Sequence, residues 1–426
     1  MAQNKIRKAT PIITFALITS LFFLWGLANN MTDTLLAAFK KIMSMTDFQT
    51  SLVQMSFYGA YFCLALPAAI IIKKYTYKSG ILLGLGMYMV GAVLFYPASK
   101  TMVYGHFLTA LFILAGGLSI LETTANPYII AIGPEETGTR RLNFAQSFNP
   151  IGSITGVVLS KFFILSNLNV ASAEERAAMT KAQLSALQSE ELYAVMGPYV
   201  GVAFVLLLLW ITIAVRKMPR ASEADSSVNL GPALKRLIRN RHYILGVIAQ
   251  FFYVGAQLCV WSFTIRYIMA ELNLNEADSS SYYIAALILF TAMRFVNTAL
   301  MKVISPGKLL TLSTLLAIIF TATVTFGHGV ISVYALVGIS GCMSLMFPTI
   351  YGLATRGLGE DTKIAASGQI MAIVGGAVFP AIQGLVSDGT GSISISYSVP
   401  LICFIIILFY ASIGRRLDLP KKNAVV

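Results

Sequence analysis

Hydrophobic residues along this chain fall in long runs rather than in alternation. A membrane-crossing helix needs roughly 20 mostly apolar residues, and twelve stretches meet that standard. The first six lie at about 11–38, 48–72, 80–97, 104–132, 142–166 and 192–215. The second six lie at about 242–270, 280–302, 309–327, 331–355, 366–388 and 396–414. Most are rich in glycine and alanine, which lets helices pack closely in lipid. A transmembrane barrel would show ten-residue alternating segments instead. The first run is too long for a cleaved signal peptide, is polar at Asn29, Asn30 and Asp33, and lacks a small-residue cleavage site. The pattern predicts an all-α membrane protein of twelve transmembrane helices.

Composition agrees and narrows the class. Of 426 residues, 57% are hydrophobic and 12% charged, about half the charge of an ordinary soluble domain. That excludes a soluble enzyme, a disulfide scaffold and a disordered chain. The net charge of +13 fits either a nucleic-acid binder or basic cytoplasmic loops. Placement decides between them. With the N-terminus inside, 23 of the 31 Lys and Arg fall on the cytoplasmic side. Five fall outside (Lys40, Lys41, Lys100, Arg176, Lys181) and three fall within spans (Lys161, Arg266, Arg294). This predicts a multi-pass protein of the cell (inner) membrane with both termini cytoplasmic and no nucleic-acid partner. Arg266 and Arg294 are expected to pair with carboxyls or to snorkel to the interface.

A charged loop divides the spans six and six. The predicted organisation is an N-terminal half, 1–215, a cytoplasmic linker, 216–241, and a C-terminal half, 242–426. The halves echo each other: Pro127 answers Pro348, Gly133–Thr137 resembles Leu358–Thr362, and Gln146 and Gln369 each precede a glycine by six residues. Two six-helix halves related by an axis along the membrane normal describe the major facilitator fold. The outer loop at 167–191 reads as a solvated cap with one short helix. Cys63, Cys259, Cys342 and Cys403 all fall in spans and read as packing residues. There is no GxxxxGK[ST] loop, HExxH pair or dinucleotide-binding glycine fingerprint. No cofactor or metal is expected, and transport must draw on a gradient.

The acidic residues carry the sharpest chemical signal. Of the 18, only Asp33 and Glu122 lie well inside apolar spans. A charge there costs at least about 2.5–3.5 kcal/mol on insertion scales. Burial favours the protonated carboxyl, so such a group facing an aqueous path can carry a proton. One buried carboxyl can equally be a strut between helices; two, in spans one and four, favour transport. Asn29 lies four residues from Asp33, Asn126 four from Glu122, and Gln146 three from Asn149, so each pair shares a helix face. Trp25 and Asn30 lie close by in span one, and span seven adds Gln250, Tyr253, Gln257 and Trp261. Carboxylates, amides and aromatic planes together suit a sugar, although amides alone can also join membrane helices. Phe347, beside Pro348 in span ten, reads as packing.

These residues also carry a family resemblance. SLFFLWGLANN at Ser20–Asn30 leading to Asp33, LETTANPY from Leu121, RLNFAQSFN from Arg141 to Asn149, and AQFFYVGAQ from Ala249 to Gln257 with Trp261 resemble the fucose:proton symporters of the major facilitator superfamily, nearly end to end. The resemblance implies that Asp33 is the first-span proton carboxyl and that Glu122 couples sugar binding to protonation. It implies that Gln146 and Asn149 line the sugar cavity. The expected partners are a small sugar, a proton and membrane lipid, with the chain working as a monomer by alternating access. One departure stands out: Phe347 occupies a place where a tyrosine is expected. The wider family also takes glucose and galactose, so a glucose/galactose carrier, possibly sodium-coupled, remains an alternative. A proton-coupled drug exporter is a further one, though its cavity should be largely apolar.

Overall fold

The computed structural model describes residues 10–42, 47–101, 103–163, 175, 178–219 and 230–417. Helices α1 (Ile12–Ile42), α2 (Asp47–Lys74), α3 (Tyr77–Thr101) and α4 (Tyr104–Ala131) form the first four spans. Span five is the pair α5 (Gly138–Gln146) and α6 (Phe148–Phe163), and span six is α7 (Lys181–Val215). A short helix α8 (Leu230–Arg239) precedes α9 (Arg241–Leu272), α10 (Glu276–Leu300) and α11 (Pro306–Phe326). Span ten is α12 (Gly329–Met343) with α13 (Met346–Ala354), and span eleven is α14 (Thr362–Met371) with α15 (Gly375–Thr390). The chain ends with α16 (Ile393–Ser396) and α17 (Ser398–Leu417). Among the described residues, nine helical stretches are long and apolar enough to cross a membrane. The other three crossings fall on α1, α7 and the α5–α6 pair. The all-α, twelve-span reading holds. One detail differs. The helix expected within the outer loop and span six form one helix, started by a capping box in which Thr180 and Gln183 bond each other's backbone.

Lipid leaves no water to satisfy backbone groups, so each span satisfies its own. Threonine hydroxyls follow the same rule. Thr264, Thr314, Thr321 and Thr325 donate to carbonyls four residues back in their own helices. Large apolar side chains turn outward along the spans, among them Phe204, Leu385 and Phe409, as a lipid-facing surface requires.

The described chain packs as two compact units. One contains Pro11–Tyr128 and Phe148–Ser226; the other contains Ile129–Ser147 and Ser227–Val426 with the first ten residues. In the first unit, α1 and α6 make close backbone contact. A Cβ added at Gly26 would meet the Asn149 carbonyl, and one at Gly152 would meet the Phe23 carbonyl. Similarly, a Cβ at Gly117 of α4 would meet the Tyr88 backbone of α3. These glycines set the close approach of α1 to α6 and of α4 to α3.

In the second unit the end of span four and the start of span five pack with the C-terminal spans. Arg141 closes the end of α4: its Nε donates to the Ile129 carbonyl (3.2 Å) and Nη2 to that of Ile130 (2.6 Å), which satisfies carbonyls the helix itself leaves open. Helix α8 buries Ala233 and Leu237. Its Arg236 donates two bonds to the Asp361 carboxylate, at 2.7 and 2.6 Å, and these hold the guanidinium pKa above its ordinary value.

Gly152→Ala should lower the thermal stability of the purified protein in detergent, at an overpacking cost of about 1–3 kcal/mol. Gly59→Ala, where an added Cβ meets nothing within 4 Å, should stay within about 0.5 kcal/mol of the parent. Equal melting temperatures for the two variants would refute the close-approach account.

Candidate functional site

The predicted residues divide between the two units. Trp25, Asn30, Glu122, Asn126 and Asn149 belong to the first; Gln146, Gln250, Tyr253, Gln257 and Trp261 belong to the second. Asn29 and Asp33 lie in α1, and their side chains are outside the described residues. Gln146 and Asn149 do not share one uninterrupted helix, because the chain breaks at Ser147 between α5 and α6.

Glu122 is the chemical centre of the first unit. Its side chain is 3% exposed. The Tyr61 hydroxyl of α2 donates to Oε1 at 3.0 Å, while Oε2 is buried with no hydrogen-bond partner among the described residues. A buried carboxyl oxygen left this way is costly unless it carries a proton or meets a ligand. Asn126, one turn on, is fully buried. Trp25 stands beside the same Tyr61 phenol, so the structure links two predicted residues through a third that sequence spacing did not reveal. Tyr61 sits in a run, FYGAYFC, whose aromatics look like packing residues; only the pairing of α2 with α4 singles it out. A cavity beside Trp25 is lined by Ala28, Leu85, Tyr88, Leu118 and Leu121.

In the second unit, α9 presents a mixed set. The Tyr253 hydroxyl donates to the Met343 carbonyl at 3.1 Å and Trp261 Nε1 to Ser340 Oγ at 3.2 Å, so both polar ends are committed to α12. Their aromatic faces remain: the Trp261 ring meets Phe290 edge-on and Tyr253 meets Phe347. Gln250 is fully buried and neither amide atom has a partner among the described residues. The same is true of Gln369 in α14, a residue noticed in the sequence only as an internal echo. Gln257 is half-buried one turn beyond Tyr253.

Arg294 departs from expectation. It neither pairs with a described carboxyl nor snorkels; it is 6% exposed. Its Nε donates to the Ser344 carbonyl at 2.7 Å and Nη1 to the Gln146 carbonyl at 2.6 Å. Both carbonyls lie four residues before a proline, Pro348 and Pro150. Proline has no N–H, so each carbonyl loses its helical donor, and one guanidinium replaces both. The ring of Phe290 lies 4.8 Å from the guanidinium carbon and supports the charge. Arg266, by contrast, is exposed and packs over Phe263, in keeping with snorkelling. Nearby, Asn143 Nδ2 donates to Thr349 Oγ1 at 3.2 Å.

Comparisons with known proteins place this architecture. Residues 17–380 match the Major Facilitator Superfamily. The chain belongs to the major facilitator superfamily. It is a secondary transporter rather than an enzyme. It is 41% identical over 419 residues to a protein of Haemophilus influenzae named L-fucose-proton symporter, covering 95% of this chain and 97% of that one. It is 36% identical to a Brucella abortus protein named glucose/galactose transporter, covering 94% and 93%. The solved structure of the superfamily transporter FucP in the outward conformation superposes with a TM-score of 0.90 at 39% identity, over 95% of this chain and 99% of that one. The breaks in spans five and ten are where Arg294 finds its two acceptors. In lipid, irregular backbone is tolerated only where protein or a cavity covers it.

Arg294→Met should leave two buried carbonyls without donors, a destabilisation of about 2–6 kcal/mol at 1–3 each. Arg294→Lys should fall between Met and the parent, because one ammonium lacks the guanidinium's fork. Thermal unfolding in detergent checks the order, and a Met variant as stable as the parent would remove Arg294 from this role.

Proposed function

We propose that this chain imports L-fucose, or a closely related sugar, together with a proton across the cell (inner) membrane, working by alternating access as a monomer with both termini cytoplasmic. The observation that carries the reading is Glu122: a buried carboxyl in an apolar span with one oxygen held by Tyr61 and the other unpartnered among the described residues. The high identity to proteins named L-fucose-proton symporters supports it. In this reading Asp33 and Glu122 take up the proton on the outside. Trp25, Asn29, Asn30, Glu122, Asn126, Gln146, Asn149, Gln250, Tyr253, Gln257 and Trp261 contribute the sugar contacts. The carboxyl and the amides bind hydroxyls, and the aromatic faces stack on the sugar's C–H surface. Sugar and proton enter together, and loss of the proton inside resets the carrier. The halves that move are 1–215 and 242–426, joined by 216–241.

A second reading, a glucose/galactose carrier, draws support from the Brucella abortus relative and from Phe347. That ring is half-buried against Tyr253 and brings no hydroxyl where a tyrosine would. Radiolabelled uptake into right-side-out vesicles, with a panel of competing sugars, with and without sodium and with an uncoupler, separates the two. Uncoupler-sensitive, sodium-independent fucose uptake supports the first.

Asp33→Asn should abolish sugar-dependent proton uptake, measured as external alkalinisation. Full proton-coupled accumulation by this variant would sink the proton role. For Glu122→Ala, calorimetry should show fucose affinity at least about tenfold weaker, given the worth of a charge-assisted bond. Unchanged affinity would make Glu122 a structural residue.

A further inference from the structure

We propose that Tyr61 is the positioning residue of the coupling carboxyl: it fixes Glu122 Oε1 so that the proton and the sugar hydroxyl are both handled at Oε2. This rests on the reading of Glu122 as the coupling group. Two bonds tie α2 to α4 here. The Tyr61 hydroxyl donates to Glu122 Oε1 at 3.0 Å, and Ser119 Oγ, three residues before Glu122, donates to the Tyr61 backbone carbonyl at 3.1 Å. Tyr61 is 2% exposed, and the Phe57 ring packs against it with centroids 5.2 Å apart. A phenol held by so few rotatable bonds can hold its oxygen in place. The fixed donor occupies Oε1, and Oε2 is the oxygen without a partner among the described residues.

The consequence is a division of labour within one carboxyl. When it is protonated, the O–H lies on Oε2 and can donate to a sugar hydroxyl. On release, that O–H bond breaks, its electron pair stays on the carboxylate and the proton goes to water. Tyr61 keeps its own proton throughout and remains a donor. A donor to a carboxylate stabilises the ionised form, so removing it should make the carboxyl hold its proton to higher pH. Among the described residues, few ionisable groups lie around Glu122. Tyr61 faces it from α2, with Tyr58 acting on Tyr61. Tyr88 of α3 packs at Gly117. The Asp33 side chain on α1 is outside the described residues.

The test is L-fucose counterflow in proteoliposomes holding the full-length protein, with equal pH on both sides, between pH 5 and 9. Four proteins are compared: the parent, Tyr61→Phe, Glu122→Gln and the double variant. In Tyr61→Phe the half-maximal pH should move upward by about one unit, the size expected from losing one bond to a charged group, whatever happens to the maximal rate. Glu122→Gln should lose the pH-dependent limb. The double variant should match Glu122→Gln. A Tyr61→Phe profile superimposable on the parent would overturn the proposal, as would a Tyr61 effect that persists without the carboxyl. A parent-like profile for Glu122→Gln would instead overturn the coupling role of Glu122 itself.

Discussion

In hydrocarbon, a backbone carbonyl that loses its helical partner must find another, and Arg294 meets that need twice. Pro150 breaks span five and Pro348 breaks span ten, and each leaves one carbonyl, of Gln146 and Ser344, without its N–H. A single buried guanidinium bonds both. Among the described residues its partners are two carbonyl dipoles and the face of Phe290, with no carboxylate. The prolines provide the breaks at which span five and span ten change character, and the arginine makes those breaks tolerable in a low-dielectric interior. Asn143, Thr349 and Asn297 add side-chain bonds around the same breaks.

Polar side chains in the spans then sort into those that hold the fold and those held in reserve. Tyr253 and Trp261 look like sugar contacts in the sequence, yet their polar atoms bond to α12; they can offer only ring faces. Glu122 Oε2 and the amides of Gln250 and Gln369 are buried without such commitments among the described residues. Leaving a buried polar group unbonded costs on the order of 1–3 kcal/mol.

Much of this was legible in the sequence. The long apolar runs, the all-α membrane class and the isolation of Glu122 follow from one-dimensional rules, because lipid penalises exposed backbone and buried charge wherever they occur. Tyr61, Gln369 and the true partners of Arg294 were not legible. Tyr61 is 61 positions from Glu122, and Arg294 is 148 from Gln146. No helical period connects such pairs, and an aromatic in an apolar run is ordinarily packing.

The sequence by itself determined that this chain is all-α and crosses a membrane many times, and that Glu122 is a carboxyl buried where lipid penalises charge. Those properties depend on residue type and local order alone. Only the tertiary structure decided which oxygen of Glu122 is held and which is open, which polar side chains are already spent, and that an intramembrane arginine serves the backbone rather than an acid. Each depends on which helices lie side by side, and that contact is set by glycine-lined approaches and proline breaks acting over distances that no local pattern encodes.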